Sequence, residues 1–275
     1  MSDGVDAAPS VRVAVLGASG RMGRAVASSA REAADIAIVG GFAERSLAAA
    51  DARDAGFDAI AGLADAEAAA MIEEADVVID FSTPAGLAAF VEAHGDRLGG
   101  RALVSGTTGL DADAAHALEV CARRSPVLSA PNFSIGVNLL LALVERAAAT
   151  LDAAAYDVEI IEAHHGGKAE APSGTALALG GAVARARGVE LESVRRDGRS
   201  GRPGVRPAGE IGFHAVRGGG IAGEHRVQFL GRRDRIELGH EAFDRALFAD
   251  GALAAARWIA RRPPGRYTMA DVLGF

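Results

Sequence analysis

The chain has 275 residues, 49% hydrophobic and 24% charged, an ordinary globular usage that can fill a sizeable core without disulfides or metals. Its formal net charge of −7 makes it a poor bulk attractor for nucleic acid or an anionic membrane, so anionic ligands need local basic groups or helix N-termini. The single cysteine, Cys121, excludes an intramolecular disulfide and fits a reducing, cytoplasmic setting; residues 1–10 lack the apolar core of a leader, and no apolar stretch approaches the roughly 20 residues of a spanning helix.

VRVAVL at 11–16 reads as a buried strand, the glycine-punctuated run 17–23 as a turn, and 21–34 as a helix. A second strand is expected at 36–40, ending just before Glu44 and Arg45. The alanine-rich segment 64–74 reads as helix, VVIDF at 77–81 as strand, and 84–93 as a helix with Pro84 in its first turn. A strand at 102–105 runs into Gly106-Thr107-Thr108-Gly109, followed by a helix at 111–124 and a short strand at 126–129. Apolar strands alternating with helices predict an α/β fold, a Rossmann-type parallel sheet covered on both faces.

The rhythm changes after about Ser134. A long helix is expected at 135–151, too polar at Asn138, Glu145 and Arg146 to span a bilayer. DVEIIEA at 157–163 alternates polar and apolar and reads as a half-buried strand. Residues 173–187 read as a helix capped by Ser173, and the Arg-, Gly- and Pro-rich run 195–209 as a long loop. Strands at 210–216, 224–230 and 234–240, then a helix at 243–260, close the chain. Consecutive strands with short turns predict a mixed or antiparallel sheet. The expected organisation is a dinucleotide-binding domain over 1–134 and an α+β domain over 135–242.

Gly17-Ala18-Ser19-Gly20-Arg21-Met22-Gly23 follows a strand and opens a helix, where a sharp turn and unpaired N–H groups can receive a pyrophosphate. Its GxxGxxG spacing alone is equally compatible with a ligand-free turn. Glu44, about 20 residues further on, stands where such folds place an acid for the ribose hydroxyl, and Arg45 beside it suits a 2′-phosphate. NADH and NADPH both remain open on these residues. Gly106-Thr107-Thr108-Gly109 and Phe81-Ser82-Thr83-Pro84 leave the C-terminal ends of strands that line the ligand crevice of such sheets, and either is also compatible with a plain turn.

Glu162-Ala163-His164-His165-Gly166-Gly167-Lys168 leaves a strand and enters a loop, and Pro172-Ser173-Gly174-Thr175 then starts a helix whose N-terminus suits an anion. A histidine near neutral pH exchanges protons, and a lysine delivers one and attracts a carboxylate. The pattern suits reduction of an unsaturated, carboxylate-bearing small molecule. A metal is not expected: adjacent histidines rarely converge on one ion, and the chain has neither HExxH nor a cysteine set.

VAVLGASGRMGR, GTTG, SAPNFSIGVNLL, EAHHGGKAEAPSGTAL and GEIGFHAVRGGGIAGEH occur in this order, and together they resemble the 4-hydroxy-tetrahydrodipicolinate (dihydrodipicolinate) reductase family over about residues 11–275. EAHHxxK before APSGT is the specific part of the match. The resemblance implies a reductase of the diaminopimelate route to lysine, taking NADPH or NADH, with a cyclic dicarboxylate substrate. It also implies a homotetramer built through the second domain, which binds substrate, and a C-terminal helix in about 243–275 that returns to the first domain.

Carried over residue by residue, Gly17, Ala18, Ser19, Gly20, Arg21 and Met22 would meet the pyrophosphate, Glu44 the ribose and Arg45 its 2′-phosphate. Gly106, Thr107 and Thr108 with Ala130, Pro131, Asn132 and Phe133 would line the nicotinamide side. His164 would be the proton donor and acceptor, Lys168 the proton donor, and His165, Gly174 and Thr175 the substrate contacts. Two positions depart from the pattern: Thr83 stands where some relatives carry a basic residue, and Glu170 where an Asp is usual. Rival readings are another Rossmann dehydrogenase of amino-acid metabolism, of homoserine or semialdehyde type, and a non-catalytic nicotinamide-binding sensor. The first has no reason to carry EAHHxxK before PSGT, and the second would be free to lose His164 and Lys168.

Overall fold

A computed structural model describes residues 11–275; the leader reading for residues 1–10 lies outside the described residues. In chain order the elements are β1 (Val11–Leu16), α1 (Arg21–Glu32), β2 (Ile36–Ala43), α2 (Ala49–Ala55), β3 (Ile60–Gly62), α3 (Ala66–Glu74), β4 (Val77–Asp80), α4 (Pro84–His94), β5 (Ala102–Ser105), α5 (Ala112–Ala122) and β6 (Pro126–Ser129). There follow α6 (Ile135–Thr150), β7 (Asp157–His164), α7 (Gly174–Ala186), α8 (Leu191–Val194), β8 (Arg195–Asp197), β9 (Ile211–Arg217), β10 (Gly223–Leu230) and β11 (Arg235–Ala242). The last three are α9 (Ala246–Ile259), β12 (Gly265–Tyr267) and α10 (Met269–Leu273). The chain divides into two compact units, one holding the described residues up to Ser134 with Ala246–Phe275, the other Ile135–Arg245. Among the described residues no helix is long and apolar enough to cross a membrane.

The first unit is built on a seven-stranded sheet in the order β12-β6-β5-β4-β1-β2-β3, with every neighbouring pair parallel. The run β3-β2-β1-β4-β5-β6 is the strand order of dinucleotide-binding folds. Alternate residues of each strand feed opposite faces, as the pleat requires. Val13, Val15, Val77, Ile79, Val104 and Leu128 pack with α1 and α9 on one side. Ala14, Leu16, Val78, Leu103 and Val127 pack with α3, α4 and α5 on the other. Helix α9 approaches closely because it is lined with small residues. A Cβ at its Gly251 would stand 1.8 Å from the Phe133 carbonyl oxygen, and Arg257 closes the contact with a bidentate pair to Asp35 at 2.7 Å. Each fully buried Val, Leu or Ile contributes about 1.5–3 kcal/mol to such a core.

Several elements differ from the sequence reading. Strand β2 runs on through Gly40 and Gly41 to Ala43. Those glycines are packing devices, not a strand end: a Cβ would meet Met71 Sδ at 2.6 Å from Gly40 and Ala18 Cβ at 2.5 Å from Gly41. Helix α2, ended by Gly56 at φ 97°, and the three-residue β3 are too short to leave a periodic signal. The helix expected at 243–260 runs Ala246–Ile259, and β12 then adds to the sheet edge beside β6, before the short α10.

The second unit carries a five-stranded mixed sheet in the order β11-β10-β7-β9-β8. Strand β10 runs antiparallel to β11 and β7, while β7, β9 and β8 run parallel. Helices α6 and α7 cover one face over Val158, Ile160, Ile211, Phe213, Val227 and Phe229. The expected loop at 195–209 contains strand β8. Strand β7 is the central strand, and its two glutamates are not half-exposed as alternation suggested: Glu159 is 8% and Glu162 1% exposed. Glu159 is accommodated by Arg199 and Arg206 from the connection between β8 and β9, and Glu162 by Arg217 of β9.

Candidate active site

The first unit presents a groove of about 580 Å³ at the C-terminal ends of β1, β2 and β4, lined by Gly17, Ser19, Gly20, Glu44, Leu63, Ser82, Thr83 and Gly86 among others. Gly17 has φ 80°, and a Cβ on it would lie 2.6 Å from the Phe81 carbonyl oxygen. A Cβ at Gly23 would collide with the Gly17 carbonyl oxygen at 2.5 Å, so both positions require glycine. The turn therefore sits tight against the strand ends, with the N-terminus of α1 opening at Gly20. This cradle, with exposed backbone and Glu44 at its rim, fits the pyrophosphate and ribose of a dinucleotide. Ala18 is buried beneath the turn, Met22 packs on the core, and Arg21 and Arg45 are exposed outside the groove lining.

The loops that follow β4 and β5 are tied to one side chain that the sequence reading passed over. Asp80, at the end of β4, is fully buried. Its Oδ1 accepts the Ser82 amide at 2.9 Å and the Ser82 hydroxyl at 2.6 Å; its Oδ2 accepts the Ser105 and Thr107 hydroxyls at 2.7 and 2.8 Å. Burial pushes the carboxyl above its ordinary range, against the pull of these donors. Thr107 thus turns its hydroxyl inward, while Thr108 is exposed. Gly106 is held under two rings: a Cβ there would meet Phe81 at 2.3 Å and Phe133 at 3.1 Å. Ala130 and Phe133 are buried, Pro131 is exposed, and Asn132 Oδ1 accepts the Ser134 amide at 2.8 Å.

In the second unit, β7 ends at His164 and the chain turns through His165, Gly166 and Gly167 to Lys168. His164 is 8% exposed, and its Nδ1 lies 2.6 Å from Glu162 Oε2. The Arg217 guanidinium, on β9 directly beside His164, bonds both Glu162 oxygens at 2.7 Å. The remaining bond to Glu162 comes from the Ser173 amide at 3.0 Å. Burial lifts the Glu162 carboxyl, but Arg217, His164 and Ser173 together bring it below its ordinary value. Burial lowers the His164 pKa; Glu162 opposes this, while Lys168 and Arg217 reinforce it. The balance favours the neutral ring.

Ser173 caps α7 by accepting the Ala176 amide at 3.1 Å, so Gly174 and Thr175 occupy the first helical positions. The Ser173 hydroxyl also bonds His225 Nε2 at 2.9 Å. His225, on β10, is pushed down to about 4 by burial, with the neighbouring His164 adding to the effect, and the two rings stand edge to face at 5.1 Å. Lys168 Nζ donates to Glu170 Oε1 at 2.5 Å, so the residue at the departing position reaches the lysine. His165 anchors its amide on the Ile221 carbonyl at 2.8 Å. His164, His165, Lys168, Gly174 and Thr175 all belong to this segment. Arg217 and His225 were missed because they come from β9 and β10, far along the chain. Among the described residues no group of three His, Cys, Asp or Glu is placed to hold a metal.

Comparison with known proteins places this geometry in context. Residues 11–133 match the sequence family described as Dihydrodipicolinate reductase, N-terminus, and residues 136–273 its C-terminus. A 4-hydroxy-tetrahydrodipicolinate reductase from Caulobacter vibrioides is 44% identical over 96% of this chain and 98% of its own length. One from Rubrobacter xylanophilus is 46% identical over 96% and 98%. Among solved structures, the dipicolinate-bound dihydrodipicolinate reductase from Paenisporosarcina sp. TG-14 superposes with a TM-score of 0.72 over 94% of this chain and 97% of that one; at 23% identity the likeness concerns the fold. With both halves matched and the relatives covered almost end to end, the chain belongs to the dihydrodipicolinate reductase family.

Proposed function

We infer that the chain reduces 4-hydroxy-tetrahydrodipicolinate to tetrahydrodipicolinate with NADPH or NADH, a step of the diaminopimelate route to lysine. The observation that carries the reading is the second-unit cluster: a buried His164 paired with Glu162, a lysine four positions on, and a capped helix start at Gly174 and Thr175. The bound nicotinamide supplies the hydride. The chain's residues then have two tasks, to grip a dicarboxylate and to handle protons. Replacing a hydroxyl by hydride releases water and consumes one proton overall. Lys168 carries a proton for that departure, and His164 exchanges one at Nε2. His165 with the amides of Gly174 and Thr175 receives the carboxylates, the arrangement an acidic protein needs for an anionic substrate.

On the cofactor side, Gly17, Ala18, Ser19, Gly20, Arg21 and Met22 present the turn and helix start to the pyrophosphate. Glu44 takes the ribose hydroxyls and Arg45 a 2′-phosphate. Gly106, Thr107 and Thr108 act through backbone and the Thr108 hydroxyl, and the 130–133 segment completes the nicotinamide side. The active form is a cytoplasmic homotetramer. Its support is the sheet face opposite α6 and α7, where pleat alternation places Ile161, Ala163 and the exposed Val216.

Oxidation of NADPH and NADH, measured in parallel with this substrate, tests the reading. Turnover with either supports it, and none with both sinks it. His164→Ala and Lys168→Ala should each lower kcat by about 10²- to 10⁴-fold with NADPH affinity unchanged. Near-full turnover in both variants overturns their roles.

A further inference from the structure

Given His164 as the group that exchanges protons, the structure also assigns what fixes its ring. Glu162 lies two residues earlier on β7, so both side chains point to the same face of the strand. Among the described residues its carboxylate has four partners: His164 Nδ1, two N–H groups of Arg217 and the Ser173 amide. The guanidinium and the amide can never accept. Of the four, only the imidazole can change role. An ionised carboxylate accepts and does not donate, so the proton of the neutral His164 ring sits on Nδ1 and the lone pair on Nε2. Beside Nε2 stands Gly223, where a Cβ would lie only 3.1 Å away, so glycine keeps that nitrogen open.

We propose that Glu162 is the positioning residue of this site: it locks His164 in the Nδ1–H tautomer and, with the same carboxylate, anchors the start of α7 through Ser173. The proton-exchanging nitrogen and the anion-binding turn then share one anchor, and Arg217 holds that anchor ionised. A second-sphere carboxylate that sets a histidine's tautomer is a recurrent device. The charged and titratable groups around the ring are Glu162 on its own strand, Lys168 in the next loop, Arg217 on β9 and His225 on β10, with His240 on β11 acting on His225.

Glu162→Gln makes the proposal testable because the amide end must face donors on either side. At the Oε1 position it would oppose the Ser173 amide and Arg217, neither of which can accept. At the Oε2 position it opposes Arg217 and His164, and the imidazole can switch to accept at Nδ1. The substitution should therefore move the proton to Nε2. The readout is the ¹⁵N imidazole shifts of the full-length protein labelled at histidine, with His164 assigned by the signals lost in His164→Asn.

Wild type should show Nδ1–H, Glu162→Gln should show Nε2–H, and Glu162→Asp should keep Nδ1–H. Alongside, kcat of Glu162→Gln should fall about 10- to 100-fold, with partial recovery in Glu162→Asp and NADPH affinity changed less than about twofold. An Nε2–H tautomer in wild type overturns the proposal without any variant, so a failure of Glu162→Gln to fold does not protect it. An unchanged tautomer in a folded Glu162→Gln also overturns it. A switched tautomer with unchanged kcat upholds the anchoring by Glu162 and removes His164 from the chemistry, which separates the two claims.

Discussion

Removing the Asp80 carboxylate should loosen the cofactor unit by an amount the structure allows to be worked out. In Asp80→Ala the hydroxyls of Ser105 and Thr107, 0% and 5% exposed, lose their acceptor where water does not reach. Each orphaned buried donor costs about 1–3 kcal/mol. The half-buried Ser82 recovers part of its loss from solvent, and relief of a buried carboxylate offsets some of the total, leaving about 2–4 kcal/mol. In Asp80→Asn the carbonyl keeps both Ser82 bonds and the new amide donates to the Ser105 and Thr107 hydroxyl oxygens, but their O–H groups still lose this acceptor, so the loss should be smaller, about 1–2 kcal/mol. Trp258, the single tryptophan and part of the first unit, reports urea unfolding by fluorescence. NADPH titration reports the second consequence, because Ser82 and Thr83 line the groove. Asp80→Ala should bind NADPH about tenfold more weakly, equivalent to about 1.4 kcal/mol. Equal stability losses in the two variants, or full NADPH affinity in Asp80→Ala, would refute the reasoning.

Acid should weaken the second unit through Glu159. Burial raises this carboxyl, but Arg199, His214 and Arg206 overcome it and bring it from 4.5 down to about 2. A depressed carboxylate contributes stability above its unfolded pKa and loses it as pH falls through the folded one; the gap corresponds to about 3 kcal/mol. The stability difference between wild type and Glu159→Gln should therefore shrink by that amount between about pH 5 and about pH 2, followed by far-UV circular dichroism in urea; a difference independent of pH contradicts it. Arg45→Ala should raise the Kd for NADPH about tenfold while leaving NADH unchanged, the loss expected of one charge-assisted contact; equal effects on both cofactors would remove Arg45 from the 2′-phosphate.

Local features of the fold were legible in the sequence and long-range ones were not. The glycine turn after β1, the Pro84 start of α4 and the Ser173 cap of α7 are each a few adjacent residues whose local chemistry dictates one conformation. Gly40-Gly41 misled because glycine usually punctuates strands, whereas here Met71 and Ala18 fill the space a side chain would occupy. Those neighbours come from another helix and another turn. Asp80 was visible as the one acid in VVIDF, but its role depends on Ser105 and Thr107, which reach it only through the β4–β5 register. The same holds for Glu162: its strand was evident, yet Arg217 and His225 arrive through pairing with β9 and β10.

Strand β7 carries the argument one step further, because it places two buried glutamates at the centre of a sheet. Glu159 points to the face away from α6 and α7, where Arg199 and Arg206 from the connection before β9 meet it at 2.9 Å. Glu162 points to the helix-covered face, where Arg217 meets it at 2.7 Å. Buried ion pairs give little net stability over apolar residues of similar size, since desolvation cancels most of the attraction. What they provide is geometry: a guanidinium held bidentately on a carboxylate has one orientation. At Glu159 that orientation pins the 198–210 connection to the sheet through two arginines. At Glu162 it leaves one carboxylate lobe for His164 and one for the start of α7. An apolar pair could fill the same volume on the helix side, but it could not tell one imidazole nitrogen from the other. That distinction, not stability, is the physical reason for a glutamate at position 162.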